Sequence, residues 1–416
     1  MKAARAGAGG RGAVLAEAFR QLNDGRPARA AQVLGKLLQA SPDDPDALHY
    51  LGVAQYQLGD YDPAIASLNK AVGIAPDYAE AHNSLGTIHL EAQRHSEAAA
   101  CFRRAVELRP DYANAFTNLG NALRDGGDLE PAAGAYREAI RLDPMTAQPA
   151  YRLAASLISL NQPAEALEAI EACLRIEPWC QNALASKGIA LQMVGEDALA
   201  RRLHDFARFV TPVEIEPPAE YGSAAAFNAA LAKAVHDNPS LTWEPLNRVT
   251  RKGAVTQDML VKPAKPIRQF EQALRQAIDA HRESLTPEAD HPFLNRIPER
   301  YRLTFIASIL TEGGWHPSHI HESAWLSGVY YVDVPPAVSR VDGVTGESAA
   351  AGGRGGWLEF GRPDYPLPEG FEPFTDSYQP AAGLARFFPS YFFHGTIPFR
   401  GGGERIGIAF DAYPVQ

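Results

Sequence analysis

Proline falls at positions 42, 76, 110, 144 and 178, always 34 residues after the last. A period that strict leaves few architectures open, because each unit must be a copy of one supersecondary element that buries its apolar face against its neighbours. Three further series keep the same clock. Gly52, Gly86, Gly120 and Gly188, with Ala154 in the remaining place, form one; Gly25, Gly59, Gly127 and Gly195, with Gln93 and Asn161 in the gaps, form the second; Ala30, Ala64, Ala98, Ala132 and Ala166 form the third. The proline stops the second helix of a pair, glycine or asparagine makes the turn between the helices, and the small residues let the two helices approach closely. Between these positions the apolar residues keep helical spacing: Leu85, Ile88 and Leu90 on one helix, Ala98, Phe102 and Val106 on the next.

These units closely resemble tetratricopeptide repeats, about six of them over residues 12–210, within a helical region assigned to residues 1–211. The resemblance implies a groove that holds a peptide or a partner protein; a scaffold for self-association is the other reading. His49, His82, His89 and His95 lie on the repeat helices and are expected to be packing or surface residues.

The rest of the composition narrows the class. With a net charge of −10, the chain offers no basic field for a nucleic-acid backbone or an anionic membrane, so neither is expected as a partner. Cys101, Cys173 and Cys180 show neither metal-type spacing nor a disulfide framework, which suits a reducing compartment. The opening "MKAARAGAGGRGAV" lacks the apolar run of a signal peptide, and a cytoplasmic location is expected. Oligomeric state is left open.

The repeat pattern ends at "VTPVEIEPPAEYGS", whose residues 212–223 read as a linker, and residues 224–416 read as a second domain. Residues 225–236 and 266–284 have amphipathic helical spacing, the second with Ile267, Phe270, Leu274 and Ile278 in register behind Pro266. From about residue 300 the chain turns to short β-rich segments: "YRLTFIASILTEGG", "WLSGVYYVDV", "GGWLEF", "GLARFFPS", "YFFHGTIPF" and "RIGIAFDAY". Together these predict an α+β multidomain chain, an all-α solenoid followed by an antiparallel barrel or sandwich with supporting helices.

Chemistry gathers in the second half. His319 and His321 are two apart, so on an extended chain they share a face and can occupy adjacent positions on one metal ion. His394 sits among aromatics in "RFFPSYFFHGTIP", and Arg405 opens the otherwise apolar "RIGIAF", where a buried charge needs an anionic partner. In that order, "HIHESAWLSGVYYVDVP" followed by "GLARFFPSYFFHGTIPFRGGGERIGIAFDAY" is similar to the double-stranded β-helix core of the 2-oxoglutarate-dependent non-haem Fe(II) dioxygenases, over residues 300–416.

The resemblance implies Fe(II) held by His319, His321 and His394, 2-oxoglutarate anchored by Arg405 with the Tyr330 hydroxyl on the same carboxylate, and O₂ as oxidant with ascorbate as a supporting reductant. Most of that superfamily has aspartate where this chain has His321, which makes this site one unit more positive and leaves zinc or copper open beside iron. Glu322 is an alternative ligand only if a bulge or turn swings it round; His316 is expected to line the mouth of the site. Core aromatic packing is the other reading of Tyr330. Residues 342–356 read as a loop over the mouth, residues 361–382 as a substrate-covering insertion, and Arg248, Arg251 and Lys252 as a locally basic loop.

The implied reaction is decarboxylation of 2-oxoglutarate to succinate and CO₂ coupled to hydroxylation. The fusion to repeats favours a peptide or protein substrate. A small-molecule tailoring hydroxylase whose repeats bind a partner, or a catalytically silent scaffold, are the alternatives.

Overall fold

The computed structural model describes residues 2–244, 250–339 and 353–415. Arg248 and residues 342–352 of the expected mouth loop lie outside them. The chain forms two compact units, residues 1–160 and 161–416.

The first unit is built of helix pairs: Pro45–Gln57 with Tyr61–Ile74, Ala79–Glu91 with His95–Leu108, and Ala113–Asp125 with Leu129–Leu142. Each periodic series has a physical job in them. At the turn positions, Gly25, Gly59, Gln93 and Gly127 all have positive φ, the left-handed conformation that lets the chain reverse. At the crossing positions a side chain would collide: a Cβ on Gly52 would stand 2.6 Å from Leu68, on Gly86 2.8 Å from Phe102, and on Gly120 2.5 Å from Tyr136. Ala30, Ala64, Ala98 and Ala132 are fully buried beside them. His49 packs as expected, bonded through its ring nitrogens to Tyr78 and Ser84.

The second unit begins earlier than the sequence suggests. The helices Pro163–Ile176, Gln181–Met193, Asp197–Leu203 and Phe206–Phe209 keep the repeat signals, with Asn161 and Gly195 at positive φ. Yet Leu184, Leu203, Phe206 and Phe209 share one apolar core with Phe293, Phe360, Tyr391 and Phe392 of the β-rich part. The stretch expected to be a linker contributes the strand β1, Thr211–Glu214, paired antiparallel to the strand Leu384–Pro389.

The remaining strands are β2 Thr242–Trp243, β3 Arg251–Val255, β4 Tyr301–Trp315, β5 Leu326–Asp333, β6 Leu358–Phe360, β7 Asp376–Tyr378, β8 Leu384–Pro389, β9 His394–Thr396 and β10 Arg405–Pro414. Among the described residues they make a seven-stranded antiparallel sheet, ordered β1-β8-β5-β10-β4-β3-β2, and a three-stranded sheet, β7-β6-β9. The helices Ala224–His236 and Lys265–Ser284 supply Phe227, Leu231, Ile267, Phe270, Leu274 and Ile278 to the core they share with Phe305, Ile309 and Tyr330. Each such side chain contributes about 1.5–3 kcal/mol on burial. Along β4 the pleat sends Phe305, Ala307 and Ile309 into that core and Thr304, Ile306 and Ser308 into a cleft. The architecture is α+β, helical repeats followed by an antiparallel sheet domain. Among the described residues no helix is long and apolar enough to cross a membrane.

Candidate metal centre

The cleft has a volume of about 290 Å³ and is lined by both sheets, including Ser308, Val329, Leu358, Phe388 and Ala409. His319, His321 and His394 meet in it, each offering a ligand atom, with these atoms all within 4.8 Å of one another. Sequence separation is bridged by backbone pairing. His319 and His394 exchange both N–H to C=O bonds at 3.0 Å, and the His321 amide donates to the Ser390 carbonyl at 3.1 Å. Gly395 lets this pairing form, since a Cβ there would lie 2.8 Å from the His316 carbonyl.

The outer ring nitrogens decide which lone pairs point inward. Nδ1 of His319 donates to the Pro317 carbonyl and Nδ1 of His394 to the Phe392 carbonyl, each at 2.9 Å. Nδ1 of His321 lies 2.5 Å from Asp411 Oδ1. All three Nε2 atoms are therefore left to face the centre as acceptors. His319 Nε2 and His321 Nε2 stand 3.1 Å apart. Two lone pairs repel at that distance, whereas two nitrogens about 2.1 Å from one cation and at right angles to each other would be about 3 Å apart. The donor set fits a divalent transition metal with imidazole ligands on one face.

Burial drives two of the rings neutral. It pulls His319 down to about 4, with the neighbouring His321 adding to the effect, and His394 well below its usual value. Neutral rings need lose no proton to bind metal at neutral pH. His316 is lowered to about 3 by burial and by Arg405. It is not part of the ligand group; its Nδ1 is 3.2 Å from Thr396 Oγ1 on the cleft wall. Glu322 accepts from Asn182 Nδ2 at 2.7 Å, outside the ligand group.

Arg405 is 2% exposed, and its Nε has no hydrogen-bond partner among the described residues. Its guanidinium lies 5.0 Å from the ring centroid of Tyr331. Burial lowers its pKa, opposed only by Tyr331. A buried guanidinium that opens on a cleft and has no anionic partner among the described residues is suited to a carboxylate.

Tyr330, the residue expected to share that role, does not reach the cleft. The pleat of β5 turns it to the opposite face, where its hydroxyl donates to Asn228 Oδ1 at 2.6 Å and its ring packs 4.8 Å from Phe270. Tyr331 is the tyrosine that stands beside Arg405, with its ring 5.0 Å from the guanidinium and its side chain fully buried. Asp411 was also not singled out from the sequence. The available signal was an acidic residue in an apolar strand at even spacing from Arg405, hence on the same face.

No curated protein sequence matches the chain. Among solved structures, MamA residues 41 to the end from Desulfovibrio magneticus RS-1 is 24% identical, with TM-score 0.37 over 40% of this chain and 93% of that one. YrrB, titled a TPR protein with an unusual peptide-binding site, is 18% identical, with TM-score 0.40 over 42% of this chain and 91% of that one. Family models match residues 21–88, 64–115, 83–145 and 117–178 as "Tetratricopeptide repeat" and residues 306–411 as "Putative 2OG-Fe(II) oxygenase". The chain thus joins tetratricopeptide repeats to a domain, residues 306–411, that matches the family described as "Putative 2OG-Fe(II) oxygenase".

Proposed function

We propose that the protein is a 2-oxoglutarate- and Fe(II)-dependent dioxygenase that hydroxylates a peptide or protein side chain brought to it by the repeats. The observation that carries this reading is the presence, in one cleft, of three converging imidazole nitrogens and a buried guanidinium without an anionic partner among the described residues. A silent scaffold gives no reason to keep Arg405 there, since an unpaired buried charge costs several kcal/mol.

His319, His321 and His394 would hold the metal, their outer nitrogens fixed by oxygens so that the rings cannot turn. Bound Fe(II) supplies the oxidising chemistry, with O₂ converting 2-oxoglutarate to succinate and CO₂ and placing one oxygen atom on a substrate C–H bond. Arg405 binds the far carboxylate of the cosubstrate through two parallel hydrogen bonds, and the Tyr331 ring supports the guanidinium from one side. Val329, Leu358 and Phe388 present apolar surface to the same cleft and keep water from it. At the other end of β10, Thr304 and Tyr413 line the part of the cleft left for the substrate. Stacked helix pairs present an extended surface suited to a peptide, which is the support for a protein substrate.

The test is anaerobic loading with Fe(II), then 2-oxoglutarate, ascorbate and O₂, with succinate measured in the absence of substrate. Succinate above a metal-free control is expected. No succinate and no bound metal would overturn the reading. With a peptide library present, a one-oxygen mass gain that requires 2-oxoglutarate identifies the substrate.

A further inference from the structure

Imidazoles that bind a metal through Nε2 and keep the proton on Nδ1 would bring it no charge, but the site is not without a carboxylate. Asp411 lies directly behind His321, and its side chain is 14% exposed. Its Oδ1 accepts from His321 Nδ1 at 2.5 Å and from Ser327 Oγ at 2.6 Å; its Oδ2 accepts from the Tyr413 hydroxyl at 3.3 Å. Ser327 is in turn 2.8 Å from Ser390 Oγ, and Ser390 is the residue whose carbonyl receives the His321 amide. Because Ser327 spends its proton on Asp411, Ser390 must donate to Ser327. The network closes on His321 from both its ring and its backbone, and three of its donors, His321 Nδ1, Ser327 Oγ and the Tyr413 hydroxyl, converge on the Asp411 carboxylate. Both serines are fully buried, so water does not compete. Among the described residues the only ion-pair partner of Asp411 is His321.

We propose that Asp411 is the positioning residue of the metal site: through His321 Nδ1 it fixes that ring's tautomer and delivers the negative charge that a carboxylate ligand at position 321 would carry. The count then balances. Two neutral histidines with a ligating aspartate, and three neutral histidines with Asp411 one bond further out, have the same net charge. The difference is that the charge reaches the metal through a polarised imidazole, which remains a neutral nitrogen donor. This rests on the metal-site reading above and goes beyond it, because it assigns the charge to a residue outside the ligand group.

The test is a double-mutant cycle on the full chain, read as affinity for Co(II) and anaerobic Fe(II) by chelator competition, with the visible spectrum of the Co(II) protein as a second readout. Asp411→Asn keeps shape and one acceptor but removes the charge; it is expected to weaken metal binding about 10–100-fold and to shift the Co(II) bands. In a His321→Asp background the charge is supplied at the ligand itself, so adding Asp411→Asn should leave affinity equal or improved by relief of like-charge repulsion. Equal affinity of Asp411→Asn and the unaltered protein overturns the proposal. So does an equal loss in both backgrounds, which is what a merely structural residue would give. If Asp411→Asn does not fold, the comparison of His321→Asp with His321→Asp/Asp411→Asn decides alone: weaker binding by the double variant overturns the proposal. Failure of the unaltered protein to bind any divalent metal sinks the proposed function as well, so the two failures are distinguishable.

Discussion

Asn182, on the last long helix that carries the repeat signals, donates its side-chain amide to the Glu322 carboxylate at 2.7 Å, one residue beyond His321. The preceding residue, Gln181, donates to the Ala324 carbonyl at 2.7 Å. The turn that follows the histidine pair is therefore held by a helix some 140 residues earlier in the chain, and nearby Leu203 accepts the Tyr391 hydroxyl at 2.7 Å.

Deleting residues 1–210 should consequently destabilise what remains. It strips Leu184, Leu203, Phe206 and Phe209 from the core and uncovers Tyr391 and Phe392, at about 1.5–3 kcal/mol for each large apolar side chain. A chain beginning at residue 161 keeps those contacts. The expected result is a cooperative melt by circular dichroism for the longer piece and aggregation or a non-cooperative melt for the shorter one. Gln181→Ala and Asn182→Ala in the full chain should each cost about 0.5–1.5 kcal/mol.

Arg405→Met should act in opposite directions on stability and on cosubstrate binding. Replacing a buried charge that has no anionic partner among the described residues with an apolar side chain of similar volume is expected to raise the melting temperature of the cosubstrate-free protein. Binding of 2-oxoglutarate, followed by calorimetry, should weaken by about 2–5 kcal/mol. Arg405→Lys should not restore it, because a single ammonium cannot make the two parallel bonds.

The adjacent tyrosines should separate cleanly. Tyr331→Phe removes a buried hydroxyl beside Arg405 and should raise the 2-oxoglutarate concentration needed for half-maximal turnover while leaving the melting temperature nearly unchanged. Tyr330→Phe breaks the bond to Asn228 and should cost about 1–3 kcal/mol of stability because Asn228 is left unsatisfied, with the cosubstrate requirement as before.

Acid should destabilise the fold even without metal. Burial pulls His204 and His281 down to about 4, while the unfolded chain titrates near its ordinary value of about 6.5. Below pH 6.5 the unfolded state binds more protons than the folded one, so stability is complete above that value. It is lost as pH falls toward 4, at up to about 1.4 kcal/mol per pH unit for the fully buried His204. Urea unfolding in the presence of a chelator at pH 7, 6 and 5 (about the window set by those two pKa values) measures the slope. His204→Phe should flatten it by about one proton.

Much of this architecture was legible because the repeat writes its constraints locally. The left-handed turn at Gly59 or Gln93 and the crossing at Gly86 or Gly120 are set by residues at most 16 positions from their partners, Gly86 against Phe102 and Gly120 against Tyr136. The same signals continue through Asn161 and Gly195, so nothing local marks residue 160 as a boundary. What joins the later helices to the second unit is the far side of each helix, where Leu184 and Phe206 meet residues nearly two hundred positions away.

The site divides in the same way. His319, His321, His394 and Arg405 stand out because histidine and arginine are conspicuous in apolar strands, and the cleft brings all four together. Which tyrosine of the pair faces Arg405 depends on the phase of one β-strand, and a shift of a single residue exchanges Tyr330 for Tyr331. Asp411 becomes meaningful only once β5 and β10 pair in a register that sets Ser327 opposite it and the bonds of His319 to His394 and of His321 to Ser390 bring the His321 ring against it. The sequence by itself determined the repeat, the element types and the residues capable of metal and carboxylate chemistry, since those follow from periodicity and side-chain identity. The tertiary structure alone decided where the units divide, which aromatic supports the arginine and where the negative charge sits, because strand register and long-range packing place partners that no local spacing connects.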